Sequence, residues 1–175
     1  MAYDFSNVNV LVVESSVAMF QLVKGVLHLL SVPDKNVHSA YTIDEGFEKF
    51  RSLNHDLIIP DWLQNPDRGI HLTRMIRTHK DTPNPYVPII MTAGSGHYSR
   101  VIKARDAGVS EYLVKPFSAK ALADRIVRII EKPRVFVVSA SYTGPERRIK
   151  SEGYTGPERR SQVAESIVAQ SQYAR

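Results

Sequence analysis

Up to about residue 131, apolar residues follow two alternating patterns. Residues 8–13 and 57–59 are almost uninterrupted apolar runs, which are typical of strands covered on both faces of a sheet. Shorter runs at residues 37–40, 87–91 and 112–114 predict three further strands. Behind each run, apolar residues recur at intervals of three and four, as on the buried face of a helix. The pattern therefore predicts five consecutive strand–helix units.

The predicted helices carry start and stop signals. The second helix is predicted over residues 42–52, Gly108 is placed to end the fourth, and Ser118 is placed to cap the fifth. The apolar positions that define the five helices are Met19, Leu22, Val23, Val26, Leu27 and Leu30; Ile43, Phe47 and Phe50; Leu72, Met75 and Ile76; Val101, Ala104 and Ala107; and Leu122, Ile126, Ile129 and Ile130. Strict alternation of strands and helices predicts an α/β fold, a doubly wound five-stranded parallel sheet with helices on both faces.

Polar residues stand where four of the predicted strands end. Glu14 and Ser15 follow the first strand, Asp61 the third, Thr92 the fourth and Lys115 the fifth. Ligand chemistry in parallel sheets gathers at the carboxyl ends of the strands. These residues are therefore predicted to form one site.

The pattern changes after Pro133, so we predict a domain over residues 1–133 and a tail over residues 134–175. Residues 135–138 either add a strand or pack on the domain, and residues 163–168 have the spacing of a short helix. Within the tail, the sequence Tyr-Thr-Gly-Pro-Glu-Arg-Arg occurs unchanged at residues 142–148 and 154–160. The repeat has little to bury, which predicts that it is disordered when free.

Composition narrows the classes of function. The chain of 175 residues has no cysteine, which excludes disulfides and thiolate metal sites, and its six histidines show no zinc spacing. The sequence contains neither a signal peptide nor an apolar stretch long enough for a bilayer, which predicts a cytoplasmic protein without membrane insertion. Residues 1–133 carry 16 Lys and Arg against 14 Asp and Glu, whereas residues 134–175 carry 7 against 4. The tail holds most of the net charge of +5, which favours an anionic ligand there.

Each copy of the repeat supplies one aromatic ring, a Gly-Pro turn and two guanidinium groups. Arginine donates paired hydrogen bonds to guanine or to phosphate, and tyrosine and arginine both stack on bases. The glutamates can orient the guanidiniums or accept from a guanine edge. Two such units fit a small ligand with two guanines and two phosphates. The predicted ligand residues are Tyr142, Gly144, Pro145, Glu146, Arg147, Arg148, Tyr154, Gly156, Pro157, Glu158, Arg159 and Arg160, with Arg134 as a weaker candidate.

Several separated motifs resemble the receiver domain of bacterial response regulators, of the chemotaxis CheY type. The matching segments are residues 12–14, 56–62, 89–93 and 112–117, together with Gly69 eight residues after Asp61. The resemblance implies a flavodoxin-like (βα)5 receiver. It implies that Asp61 accepts a phosphoryl group beside a magnesium ion, that Glu14 is a metal-site acid, that Thr92 is the hydroxyl that follows the phosphoryl group, that Lys115 is the neutralising cation, and that Tyr112 is the aromatic that changes rotamer.

The sequence departs from the receiver pattern around the acceptor. Ser15 takes the place of a second acid, which weakens a magnesium site held by Glu14 and Asp61. Pro60 removes a hydrogen-bond donor from a central strand, and Asn65 takes the place of a family proline. Phosphorylation of Asp61 and an inert polar network therefore both remain open.

A receiver followed by an arginine-rich tail also resembles the Cle proteins, which are CheY-like effectors of cyclic di-GMP. This resemblance implies a two-component signalling adaptor that is not an enzyme. It would bind cyclic di-GMP through the tail and dock on the flagellar motor switch to control motility. The first alternative is a phosphorylation-driven single-domain response regulator. A solvated basic tail and a nucleic-acid arm are the others, and Glu146, Glu152 and Glu158 disfavour the nucleic-acid arm because they repel a phosphate track.

Overall fold

The structure, a computed structural model, describes residues 4–62 and 67–147. Within these residues, five strands alternate with five α-helices, and two further strands follow. They are β1 (Val10–Val13), α1 (Val17–Leu29), β2 (Val37–Ala40), α2 (Ile43–Ser52), β3 (Leu57–Pro60), α3 (Arg68–Thr78), β4 (Ile90–Ala93), α4 (Tyr98–Ala107), β5 (Glu111–Val114), α5 (Ala119–Glu131), β6 (Phe136–Ser139) and β7 (Tyr142–Pro145). Arg148, Asn65, the predicted helix at 163–168 and the second copy of the repeat lie outside the described residues.

The helix limits follow from local chemistry. Ser16, Thr42 and Ser118 cap α1, α2 and α5, since each side-chain oxygen accepts a backbone N–H from the first turn. Gly108 ends α4 in a left-handed conformation with φ of 98°, which glycine adopts without a steric penalty. The predicted roles of Ser118 and Gly108 are therefore confirmed.

The predicted parallel sheet is also confirmed. β2, β1 and β3 pair in that order, β4 pairs with β5, and all these pairings are parallel. Two parallel bridges, Ile58 with Ile89 and Asp61 with Thr92, join the two groups of strands. The spatial order is therefore β2-β1-β3-β4-β5.

Pro60 interrupts the hydrogen bonds between β3 and β4. The Ile58 amide donates to the carbonyl oxygen of Pro88 at 3.0 Å, and the Trp62 amide donates to that of Thr92 at 2.7 Å. Pro60 lies midway between these donors and has no N–H, so the regular ladder breaks there. The fourth strand was predicted at residues 87–91, but regular pairing covers Ile90–Ala93 because β4 obtains its continuous partner from β5.

The core lies on both faces of the sheet, as expected for a doubly wound fold. Along β1, Leu11 and Val13 belong to one buried cluster, whereas Val10 and Val12 belong to the other. This alternation follows from the two-residue period of a strand. Both clusters are apolar because helices cover both faces.

The first copy of the repeat does not match the predicted disorder. β6 and β7 form an antiparallel hairpin in which Phe136 and Tyr142 are buried against the domain, Tyr142 with 9% exposure. Gly144 and Pro145 were predicted to form a turn, but they lie within β7, and the turn is at residues 140–141. For residues 142–147 the prediction is wrong, because the two aromatic rings supply the apolar burial that the heptapeptide alone lacks.

Buried His55 is expected to make the folded domain less stable in acid. Its side chain is 1% exposed, stacks on Phe50, and has its Nε2 3.0 Å from Nδ1 of His38. Burial, reinforced by the neighbouring His38, lowers the pKa of His55 from 6.5 to about 4. A proton binds the His55 ring more readily in the unfolded chain than in the folded one. The free energy of unfolding is therefore at its full value above pH 6.5 and falls as the pH is lowered from 6.5 to 4. The expected loss is on the order of 2–3 kcal/mol.

Urea unfolding of the wild type and of His55→Phe at pH 7, 5.5 and 4.5 measures this loss. We expect the wild type to lose stability more steeply with acid than the variant does. His71→Gln, which replaces an exposed histidine on α3, should follow the wild-type curve. Parallel curves for the wild type and His55→Phe would contradict the prediction.

Candidate functional site

The carboxyl edge of the sheet brings four predicted residues together. Nζ of Lys115 lies 2.5 Å from Oε2 of Glu14 and 2.8 Å from Oδ1 of Asp61. Oγ1 of Thr92 lies 3.4 Å from the same Asp61 oxygen. One cation therefore bridges two carboxylates, and a hydroxyl stands beside the predicted acceptor.

The backbone around these side chains is fixed by neighbouring strands. The amide of Asp61 donates to the carbonyl of Val13, and that of Lys115 donates to the carbonyl of Ala93. Gly69, at the start of α3, packs against the carbonyl of Asp61 so closely that a Cβ would collide with it. The site is therefore preorganised by the sheet and by the first turn of α3.

Charge at the site is shared mainly through Lys115. Burial alone would lower the pKa of Lys115, but its hydrogen bonds to Asp61 and Glu14 outweigh burial and raise that pKa above its ordinary value. Glu14 is only 5% exposed, and its second oxygen accepts the amide of Ser16 at 2.8 Å. Both oxygens of Glu14 are therefore already engaged.

The two acidic residues predicted to hold magnesium are both paired with Lys115. Glu14 and Asp61 both bind the Lys115 ammonium, and Ser15, in place of a second acid, is exposed. Within residues 4–62 and 67–147, no cluster of three or more histidine or acidic residues is arranged to hold a metal ion. Magnesium is usually held by charged oxygen ligands and substrate phosphates, so a magnesium ion at Glu14 and Asp61 would compete with Lys115.

An aromatic group links the site to the start of α4. The hydroxyl of Tyr112 donates to the carbonyl of Ser95 at 2.7 Å, and burial raises the pKa of Tyr112. Trp62 is buried, meets Tyr112 edge-on at 6.3 Å, and lies under the guanidinium of Arg100 at 5.3 Å. The contact between Arg100 and Trp62 was not predicted, since nothing in the sequence pattern marks it.

The first copy of the repeat lies at the other end of α4. The hydroxyl of Tyr142 donates to the carbonyl of Pro145 at 2.7 Å, and Gly144 packs directly on Gly108. The guanidinium of Arg147 lies 4.2 Å from the ring centroid of Tyr142. It also pairs with Asp106 at 3.1 Å. Tyr142 and Arg147, both predicted ligand residues, are therefore in contact. The Tyr142 ring, however, packs against this arginine and is largely buried.

Glu146 and Arg134 border this hairpin. The amide of Glu146 donates to the carbonyl of Val135 at 2.7 Å, which closes the hairpin, and Arg134 is exposed beside it. Asp106 was not among the predicted residues, because only the fold brings it to the tail.

No helix in the described part of the chain has the length and apolarity needed to span a bilayer.

Lys115→Met should destabilise the domain. Without the shared cation, Glu14 and Asp61 face each other unneutralised, which we expect to lower the free energy of unfolding by about 1–2 kcal/mol at pH 7. Urea unfolding at pH 7 measures this loss, with the exposed Lys120→Met as the matched control. A Lys115→Met protein as stable as the wild type would contradict this expectation.

Comparison with known proteins supports the same fold. The profile of the response regulator receiver domain matches residues 10–127. Chemotaxis protein CheY-3 of Vibrio cholerae is 27% identical over 129 residues, covering 72% of this chain and 94% of CheY-3. Chemotaxis protein CheY of Pseudomonas aeruginosa is 29% identical over 123 residues, covering 70% of this chain and 96% of that protein.

Solved structures give the same result. CheY4 of Vibrio cholerae superposes with a TM-score of 0.62 at 23% identity, covering 70% of this chain and 98% of CheY4. A two-component response regulator from Clostridium difficile has a TM-score of 0.62 at 22% identity, covering 72% of this chain and 98% of its own. At these identities the structures show the fold alone. The profile match over residues 10–127, most of the chain, shows that the chain belongs to the response regulator receiver domain family.

Proposed function

We propose that this chain is a CheY-like signalling adaptor that binds cyclic di-GMP through its arginine-rich tail. The bound form then docks on a protein partner, the flagellar motor switch, to control motility. The observation that carries the proposal is the unchanged recurrence of residues 142–148 at 154–160. A ligand with two guanines and two phosphates has the same twofold character as this repeat.

The contact of Arg147 with Tyr142 supports recognition of cyclic di-GMP mainly by arginine side chains. A guanidinium at 4.2 Å from a ring centroid is held by the ring, and its planar edge can make paired hydrogen bonds once a ligand displaces Asp106, which lies 3.1 Å from it. Arg147 is exposed, so a ligand can reach that edge. In this arrangement Tyr142 positions Arg147, and base stacking falls mainly to Tyr154 of the second copy.

The remaining ligand contacts are divided between the copies. Arg147 and Arg148 bind one guanine–phosphate half, and Arg159 and Arg160 bind the other. Glu146 and Glu158 orient the arginines beside them. The strand residues Gly144 and Pro145 act through the backbone, and Gly156 and Pro157 are assigned the same role.

Calorimetric titration of the full chain with cyclic di-GMP tests the proposal. We expect saturable binding that shifts the amide resonances of Gly144, Gly153 and Gly156. A single-stranded oligonucleotide, tested as a competitor at two salt concentrations, separates a nucleic-acid arm from a dinucleotide site, since phosphate-track binding weakens steeply with salt. Absence of cyclic di-GMP binding, or binding only of the oligonucleotide, would reject the proposal.

Docking on the motor switch is the proposed output. The Vibrio and Pseudomonas relatives are named as chemotaxis proteins, which supports a role in motility. Capture of a purified motor-switch protein by the full chain, with and without cyclic di-GMP, tests it. Capture that is independent of the ligand would separate the adaptor role from the second messenger.

Asp106→Asn should strengthen ligand binding a few-fold. Asp106 holds the Arg147 guanidinium at 3.1 Å, and both side chains are exposed, so the pair contributes at most about 1 kcal/mol. A ligand must displace Asp106 to use that edge of the arginine. Asp124→Asn, which breaks the exposed pair with Lys120, is the matched control. Weaker binding by Asp106→Asn would instead mean that Asp106 orients Arg147 for the ligand.

The alternative is a phosphorylation-driven response regulator with Asp61 as the acceptor. Lys115 at 2.8 Å and Thr92 at 3.4 Å from the same Asp61 oxygen favour it, because they would neutralise and follow an incoming phosphoryl group. Incubation with acetyl phosphate, with and without magnesium, followed by intact-mass measurement tests this function. No adduct, or an adduct retained by Asp61→Asn, would rule out Asp61 as the acceptor.

A further inference from the structure

The first copy of the repeat occupies a shaped surface at the end of α4, which we call the docking seat and define by Arg77, Tyr86, Arg105 and Gly108. Phe136 of β6 meets the ring of Tyr86 edge-on at 5.6 Å and lies under Arg77 at 5.1 Å. These contacts fix β6, and β7 then pairs with β6 along its whole length. The docking seat therefore receives β7 as the second strand of a ribbon.

Residues of the repeat contribute the contacts that hold β7 in the docking seat. The Tyr142 hydroxyl lies 3.5 Å from the carbonyl oxygen of Arg105. A Cβ at Gly144 would lie 2.7 Å from Cα of Gly108 and 2.6 Å from the Tyr142 hydroxyl, so the position has no room for a side chain. Pairing with β6 uses only backbone groups. A segment with the same Tyr-Thr-Gly-Pro sequence can therefore make the same contacts.

We propose that the docking seat is an exchange site, in which residues 154–157 of the same chain can replace residues 142–145 beside β6. The two segments are identical, so the seat cannot distinguish them by their own side chains. Fourteen residues, 140–153, would then link β6 to the incoming segment. This linker is long enough to reverse direction and return as an antiparallel strand.

The first copy holds the seat at rest because its two-residue turn closes at a smaller entropic cost than the longer linker. Exchange moves Arg159 to the position of Arg147 beside Asp106, and it frees the ring of Tyr142. The proposal does not depend on cyclic di-GMP, since its contacts lie entirely within the protein. It predicts that a chain with a damaged first copy keeps an occupied seat.

Cysteine pairs introduced into the full chain test the exchange without background, because the natural chain has no cysteine. One pair, Asp106→Cys with Arg147→Cys, reports the first copy in the seat. The other pair, Asp106→Cys with Arg159→Cys, reports the second copy. Each protein is treated with a short bis-maleimide, and intramolecular cross-links are separated from cross-linked dimers on a denaturing gel.

We expect the first pair to cross-link efficiently and the second pair weakly. Gly144→Val should raise the yield of the second pair several-fold within one chain, and adding Gly156→Val should return it to the weak level. Gly25→Val, at a position with open space around a Cβ, should leave both yields unchanged. Gly144→Ala produces the same clashes with Gly108 and Tyr142 through a single methyl group. It replaces the valine variant if that variant does not fold.

Three results would overturn the exchange. One is a second-pair yield that Gly144→Val and Gly144→Ala leave unchanged. Another is a yield that stays high when Gly156→Val is added, since general loosening of the tail would explain it. The third is cross-linking mainly between two chains, which would assign the seat to a second molecule.

Discussion

Replacing Arg147 and Arg148 together with alanine is expected to weaken cyclic di-GMP binding by at least about thirtyfold. Each paired arginine–guanine or arginine–phosphate contact contributes on the order of 1–3 kcal/mol. Ordering a tail on binding costs about 2–5 kcal/mol, which one copy of the repeat only narrowly exceeds. Loss of one arginine pair should therefore remove most of the affinity and not half of it.

Calorimetry on the full chain measures this effect. Arg159→Ala with Arg160→Ala should cause a loss of similar size, because the two copies are identical. Removing two exposed cations from the domain, with Lys35→Ala and Lys120→Ala, should leave binding within about twofold, since exposed charges away from the tail are screened. Full-strength binding by the Arg147 and Arg148 variant would contradict recognition by two arginine units.

Arg77→Met is expected to lower the free energy of unfolding by about 3 kcal/mol or more. Arg77 lies on α3 with 3% exposure. Its guanidinium donates four hydrogen bonds to the carbonyls of Gly108, Pro85 and Val87, at 2.7–3.0 Å. The guanidinium also lies over the ring of Phe136. One side chain thus joins α3, the segment before β4, the end of α4 and the hairpin.

Two opposing effects decide the size of this loss. Burial lowers the pKa of Arg77 to about 9, because removing the charge from water is costly. Methionine would avoid that cost but would leave three carbonyl groups without their donor, and each unsatisfied buried group costs about 1–3 kcal/mol. We expect the carbonyl groups to dominate, because charge-assisted hydrogen bonds are the stronger kind.

Urea unfolding at pH 7 distinguishes the two outcomes. Arg77→Lys should also destabilise, because a single ammonium cannot reach all three carbonyls at once. Arg74→Met removes an exposed arginine from the same helix and should change stability by less than about 0.5 kcal/mol. An Arg77→Met protein as stable as the wild type would show that desolvation of the charge cancels its hydrogen bonds.

The predicted order of elements is confirmed because each depends on local pattern. The α1, α2 and α5 caps are set by a serine or threonine next to an apolar helical stripe, and β1 by a continuous apolar run. The limits of β4 were less predictable, because Pro60 on another strand removes the donor that would have extended the ladder. Local sequence cannot report the hydrogen-bonding capacity of a neighbouring strand.

The candidate site was likewise predictable only in part from the sequence. Asp61, Thr92 and Lys115 could be grouped from sequence, because parallel strands end at one edge of a sheet. That Lys115 is shared by Glu14 and Asp61, and so competes with a metal ion, required the distances between side chains. The first copy of the repeat was predicted to be disordered, because the heptapeptide alone has too little apolar surface.

The sequence by itself determined the strand–helix alternation, the polar residues at the strand ends and the twofold repeat of the tail, since all three are properties of neighbouring residues. The tertiary structure decided which charges are buried, where the hairpin packs and what Arg147 contacts. Arg77 meets Gly108 across 31 residues and Arg147 meets Asp106 across 41. Contacts at such separations form only when the whole core has folded. Burial of apolar surface then brings together polar groups from distant segments, and no local sequence pattern marks these groups.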